Sequence, residues 1–82
     1  MDGYRLYIGK FSLAQDLISK GILPLEIKAN PFDPEKKIWI FDGTRETATL
    51  AKSFYDNIKM PYSRSLQTLI GLIEKADGGA DE

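Results

Sequence analysis

The segment Lys37-Ile38-Trp39-Ile40-Phe41 constrains the fold of this chain more than any other. Its β-branched and aromatic residues favour a strand that ends at Asp42-Gly43. Alternate side chains of a strand point to opposite faces of the sheet, so this strand presents apolar groups on both. A domain of 82 residues then has two apolar sheet surfaces, and the second must be covered by a helix, a partner or a ligand.

Alternation and helical spacing predict the elements before this strand. Residues 4–8 alternate between apolar and other side chains, which predicts a first strand. A helix is predicted over about 12–20, where Ser12 and Gln15 have the spacing of a capping box. Gly21 supplies the residue that ends this helix.

The remaining elements complete an α+β order. A strand is predicted over 22–28, followed by a loop over 29–36 that contains two proline turn signals. Helices are predicted over about 44–58 and 62–76. The fold class is therefore α+β, a three-stranded, mostly antiparallel sheet with three helices in the order β-α-β-β-α-α. The second and third strands are expected to pair antiparallel. The favoured position of the first strand is beside the third, but the sequence does not fix it.

Length and charge indicate one small domain. Residues 1–76 are predicted to form a single α+β domain, and residues 77–82 a flexible acidic tail. The net charge is −1, too balanced to indicate a nucleic-acid partner. No apolar run approaches the length of a membrane span, and the first residues lack a signal sequence. With no cysteine, an oxidising compartment is not required, so a cytoplasmic location is expected.

Catalysis is not expected. The chain contains neither histidine nor cysteine, so the usual general base and thiolate nucleophile are missing. Asp33 and Glu35 share one predicted loop, but two carboxylates without further oxygen ligands make a poor metal site. The sequence therefore predicts no catalytic, cofactor-binding or metal-binding residue, and no small-molecule substrate is evident.

The alternation of the strands assigns side chains to two faces. The core face, expected to be covered by the first two helices, receives Tyr4, Leu6, Ile8, Leu25, Ile27, Ile38 and Ile40. The opposite face receives Arg5, Tyr7, Glu26, Lys28, Trp39 and Phe41. The predicted partner-binding residues belong to this second set and are Arg5, Tyr7, Lys28, Trp39 and Phe41.

Three interpretations of the second face are open at this point. The third helix could cover it, since aromatic stripes are more often core than site. It could meet another copy or another protein, because aromatic residues and arginine dominate such contacts. It could also stack unpaired bases, with Arg5 and Lys28 near phosphates. The favoured hypothesis is a non-enzymatic protein-interaction module that acts as a homodimer or with a protein partner. Single-stranded nucleic-acid binding is the alternative.

Four segments also carry a family resemblance: Phe11–Ala14 leading to Leu17 and Gly21, Lys37–Phe41, Leu50 with Phe54-Tyr55, and Pro61 with Leu66 and Leu69. Together they resemble a family of small proteins from bacteriophages and mobile elements of Gram-positive bacteria, a domain of unknown function. The resemblance covers about residues 4–73. It implies a small phage accessory protein: a regulator, an inhibitor of a host factor or a helper in DNA metabolism. It transfers no binding or catalytic residue.

Overall fold

The structure, a computed structural model, describes residues 4–79. Its elements are β1 (Arg5–Ile8), α1 (Phe11–Ser19), β2 (Glu26–Asn30), β3 (Asp33–Asp42), α2 (Arg45–Ile58) and α3 (Arg64–Gly79). The α+β class and the order β-α-β-β-α-α are confirmed.

The sheet has β3 at its centre. The strand order is β1-β3-β2, and both neighbouring pairs are antiparallel. The expected positions of the first and second strands beside the third are therefore confirmed. The four residues of β1 pair only with 39–42 of β3. The first half of β3 consequently pairs with β2 alone, as a two-stranded arm beyond β1.

The predicted loop over 29–36 is wrong in extent. The hairpin turns in two residues, Pro31 and Phe32, and β3 begins at Asp33. The side chain of Asn30 closes the turn by accepting the N–H of Phe32 at 2.8 Å. The register then shifts, because Asn30 pairs with Asp33 whereas the preceding residue pairs with Lys37. The intervening 34–36 form a bulge, which admits a proline that cannot donate to a ladder.

Helix α1 begins without the predicted capping box. Its N-cap is Lys10, no side chain caps the helix, and the Ala14 N–H donates to the Lys10 carbonyl at 3.1 Å. Ser12 consequently lies inside the first turn. Only two residues, Gly9 and Lys10, separate β1 from the helix, so its buried residues return over the sheet. It ends as predicted, with Gly21 at a φ of 88°.

The other two helices lie close to their predicted positions. Helix α2 begins after Thr44, whose Oγ1 accepts the N–H of Thr47 at 3.1 Å and so caps the helix. Helix α3 continues to Gly79, three residues beyond the predicted end at 76. The rest of the predicted acidic tail, 80–82, lies outside the described residues.

All three helices pack against the same face of the sheet. One buried cluster joins both layers and comprises Leu6, Ile8, Leu13, Ala14, Leu17, Trp39, Phe41, Ala48, Ala51, Tyr55, Leu66 and Leu69. The interpretation in which the third helix buries Trp39 and Phe41 is confirmed in part, because Leu66 and Leu69 of α3 belong to the same buried cluster as both rings. Its other part, a second face covered by the third helix alone, is wrong, because the rings lie on the face that all three helices cover. Within residues 4–79, no helix is long and apolar enough to cross a membrane.

The turn between β3 and α2 depends on a close approach at Gly43. Its N–H donates to the Tyr4 carbonyl at 2.9 Å. A Cβ at this position would lie 2.7 Å from the Tyr4 ring and 2.8 Å from the Tyr4 carbonyl oxygen. Because carbon atoms cannot approach this closely, a side chain here must displace the start of β1.

Replacing Gly43 with alanine is expected to lower the free energy of unfolding by about 1–3 kcal/mol, the usual cost of overpacking. Chemical denaturation measures this loss. The matched control is Gly9→Ala, where a Cβ would meet no atom within 4 Å, and a change below about 1 kcal/mol is expected. Equal stability of the two variants would contradict the close approach.

The end of α2 contains a strained backbone position. Lys59 is its C-cap and has a φ of 56°, in the left-handed region that costs a residue with a Cβ about 1–2 kcal/mol. We expect Lys59→Gly to stabilise the protein by about 1 kcal/mol, measured by denaturation. The same change at exposed Lys52, inside α2, should destabilise it by about 1 kcal/mol. Effects of the same sign would refute this assignment.

Candidate functional site

The face covered by the helices contains the two large rings of β3. Leu6 is the Cα partner of Phe41, and Ile8 is the partner of Trp39, so these four side chains share one face. Phe41 is 0% exposed and Trp39 is 9% exposed. The prediction that both rings lie on the face opposite the core is wrong. Phe41 has no surface left for a partner.

The prediction chose the wrong one of the two possible alternations of side chains along β3. Ile38 to Phe41 are four consecutive apolar residues, so either alternate pair could face the core. The register with β1 decides between the two phases, because Leu6 and Ile8 are buried by the helices and lie opposite the rings. Ile38 and Ile40, which were predicted to face the core, consequently lie on the other side.

We call this other side the open face, and it is formed by Arg5, Tyr7, Glu26, Lys28, Ile38, Ile40 and Asp42, with Leu25 at the rim. Six of these residues line a shallow depression of about 510 Å³: Arg5, Tyr7, Leu25, Glu26, Lys28 and Ile40. Ile40 is only 4% exposed, although it lies outside the cluster beneath the helices. Its strand neighbours cover it. Three of the five predicted partner-binding residues, Arg5, Tyr7 and Lys28, therefore share the open face.

The outer edge of β1 is occupied by α3. The N–H of Tyr7 donates to Ser65 Oγ at 3.0 Å, and the Tyr4 hydroxyl donates to the Ser65 carbonyl at 3.0 Å. Ser65 belongs to the first turn of α3. The helix thus accepts the Tyr7 N–H, a backbone group that an edge strand would otherwise offer to another chain.

The outer edge of β2 is different. Leu25 N–H donates to the Ile40 carbonyl at 2.7 Å, so Ile40 directs its backbone groups towards β2. The contact of Tyr7 with α3 supports the same orientation of Ile40. Tyr7 is the partner of Ile40 in β1 and points its N–H away from β3, so Ile40 does not hydrogen-bond to Tyr7 and its backbone groups face β2. Glu26, the partner of Ile40 in β2, therefore turns its backbone inward, and so does Lys28 two residues later.

Ile27 and Ala29 consequently direct their N–H and C=O groups outward, away from β3. No other element within residues 4–79 hydrogen-bonds to them. The side chain of Ile27 lies on the helix side, opposite Trp39, yet it is 50% exposed. Leu25, on the rim of the open face, is 52% exposed. We call the outward groups of Ile27 and Ala29, with these two side chains, the β2 edge.

A groove lies on the helix side of the arm. It has a volume of about 520 Å³ and is lined by Gly9, Phe11, Glu35, Lys36, Lys37 and Trp39. The ring of Phe11 lies 5.7 Å from that of Trp39, centroid to centroid, and is 62% exposed. Phe11 therefore shields the indole, a contact that no sequence pattern predicts.

The charges of the open face are balanced. Arg5 and Lys28 are matched by Glu26 and Asp42, and Lys28 Nζ lies 3.8 Å from Glu26 Oε2 in an exposed pair. Tyr7 is the one aromatic side chain on this face among the described residues. The surface thus combines apolar contacts with charges of both signs.

The hydroxyl of Tyr62 has a raised pKa. At the α2–α3 junction, the Tyr62 hydroxyl donates to Asp56 Oδ1 at 2.7 Å. This hydrogen bond, with smaller contributions from burial and the carboxylate charge, raises the pKa of Tyr62 above its ordinary value. Tyr55 packs against Tyr62 at 6.0 Å between ring centroids. The junction is therefore a packing contact that joins the two helices.

Comparison with known proteins finds no matching family model, no matching curated protein and no matching solved structure. The resemblance to small phage and mobile-element proteins therefore stays a prediction.

Exchanging rings for small side chains should separate the two faces of the sheet. Phe41→Ala is expected to cost about 3–5 kcal/mol of the free energy of unfolding, because it opens a cavity in the core. Tyr7→Ala should cost less than about 1 kcal/mol, since the ring is half-exposed and its backbone contact to Ser65 remains. Urea denaturation followed by circular dichroism checks both. Similar losses would contradict the faces assigned here.

Proposed function

We propose that this chain is a non-enzymatic interaction module that binds another polypeptide strand at the β2 edge. One observation carries the proposal: Ile27 and Ala29 present outward backbone groups that no element within residues 4–79 pairs with, beside half-exposed apolar side chains. The open face would then contact the side chains of the bound polypeptide.

Strand addition matches the chemistry of this edge. In such binding, main-chain hydrogen bonds supply affinity and alternating side chains supply specificity. The β2 edge offers outward N–H and C=O groups, with Ile27 on one side and Leu25, Glu26 and Lys28 on the other. Both sides of an added strand would therefore meet apolar surface.

Two features support a function in binding another protein and not in catalysis. A chain without histidine or cysteine lacks the usual catalytic side chains. The family resemblance suggests a small phage accessory or regulatory protein, which would act by engaging another protein. We further propose a cytoplasmic location, because a chain without cysteine does not depend on an oxidising compartment.

Single-stranded nucleic-acid binding is the weaker proposal. It requires exposed rings for base stacking, whereas Phe41 is buried and Trp39 lies on the helix side. Tyr7 alone would have to serve on the open face. Acidic Glu26 and Asp42 lie among the basic residues there, which lowers the attraction for phosphates.

Photo-crosslinking tests the proposed function. A photoreactive amino acid replaces Ile27 at the β2 edge or, as the control, exposed Lys52 on α2. In cells that express the full chain, we expect discrete polypeptide adducts from the first position and none from the second. Ala29→Pro, which removes an outward N–H and no bond to β3, should abolish those adducts. Equal crosslinking from both positions would refute the proposal.

A mobility-shift assay with a single-stranded oligonucleotide tests the alternative. We expect no shift at low salt. A shift that weakens steeply with added salt, and that is lost on changing Arg5 and Lys28 together to alanine, would favour nucleic-acid binding instead.

A further inference from the structure

We propose that the strand bound at the β2 edge is β2 of a second copy, paired antiparallel with Ile27 on the twofold axis. This inference rests on the proposed function and names its partner. The pairing would join two three-stranded sheets into one, with both sets of helices on one side and both open faces on the other.

The charges of β2 complement themselves in this register. With Ile27 opposite Ile27 of the second copy, Glu26 lies opposite Lys28 of the second copy, and the reverse pair forms across the axis. Opposite charges that face each other across strands stabilise a sheet. The two copies of β2 would thus form two ion pairs and one apolar pair between them.

Neighbouring registers lose this match. Moving the twofold axis by one residue along β2 places Glu26 opposite Glu26 of the second copy, or Lys28 opposite Lys28 of the second copy. Like charges that lie directly opposite each other destabilise a strand pair. An arrangement with the helices of the two copies on opposite sides places Glu26 opposite Ile27 or Ala29, with no charge partner. Among these alternatives, the axis at Ile27 alone pairs both charges.

The backbone geometry fits the same register. Ile27 directs its N–H and C=O outward, so two copies exchange two hydrogen bonds across the axis. Glu26 and Lys28 then occupy non-hydrogen-bonded positions, where opposed Cα atoms approach to about 4.5 Å. Within one copy these two side chains already meet at 3.8 Å and are both about half-exposed. They are therefore free to exchange an internal pair for two pairs across the axis.

The other sheet edges are protected. Ser65 of α3 occupies the β1 edge. On the arm, the outer side of β3 carries the bulge 34–36, whose residues are a proline, a glutamate and a lysine. Bulges, prolines and charges are features that prevent strand pairing at an edge. Pairing through β2 uses the same surface on both copies, so the assembly closes at a dimer.

Charge reversal tests the proposal on the full chain. Light scattering and sedimentation equilibrium at low ionic strength should show a wild-type dimer that dissociates on dilution. Lys28→Glu places two pairs of glutamates across the axis, and Glu26→Lys places two pairs of lysines there. Each single variant should weaken the dimer at least about tenfold.

Mixing the two single variants should restore the dimer. Lys28→Glu mixed with Glu26→Lys restores two opposite-charge pairs, so the mixture should form a heterodimer of near wild-type affinity. The double variant Glu26→Lys/Lys28→Glu should dimerise by itself. Lys36→Glu, which makes the same charge change on the bulge, should leave the dimer unchanged. Rescue also shows that the single variants are folded.

The outcomes separate this inference from the proposed function. A wild-type chain that stays monomeric at all concentrations, but crosslinks from Ile27 to a different protein, overturns the dimer and leaves the interaction module standing. A monomer that gives no such crosslink overturns both. A dimer insensitive to both single reversals, or unrestored by mixing, overturns the β2 pairing.

Discussion

The antiparallel pairing of β1 with β3 is the interaction on which the rest of the structure depends. It places Leu6 opposite Phe41 and Ile8 opposite Trp39, and so collects both large rings of β3 and two aliphatic side chains of β1 on one face. The helices then have a single apolar surface to cover. Burying both rings there removes apolar area from water, and it leaves the smaller Ile40 to be covered by its strand neighbours on the open face.

Stacking all helices on one face has a consequence for the edges of the sheet. The first turn of α3 reaches the β1 edge through Ser65, whereas β2 keeps outward backbone groups at Ile27 and Ala29. The helical layer also ends before β2, which is why Ile27 stays half-exposed although it lies on the helix side. The difference between the occupied β1 edge and the open β2 edge thus follows from the placement of the helices.

Local patterns predicted the elements well and their details less well. Helical spacing placed α2, and alternation placed β1, while β-branched and aromatic residues placed the core of β3, because these signals act within one element. Proline turn signals over 29–36 suggested a long loop, but Asn30 closes the turn in two residues and a bulge accommodates Pro34. Ser12 has the right spacing for a cap, yet α1 starts at Phe11, where the connection from β1 requires it.

The sequence by itself determined the α+β order, the antiparallel pairing of the second and third strands and the absence of the usual catalytic side chains, since each follows from residue types and local spacing. The place of the first strand in the sheet was decided by the tertiary structure. The faces of β3 were decided only in the tertiary structure. Four adjacent apolar residues satisfy either phase of a strand equally, and only pairing with a neighbour under the helices distinguishes them. The free edge was likewise a tertiary outcome, because exposure of a backbone group depends on what packs beside it.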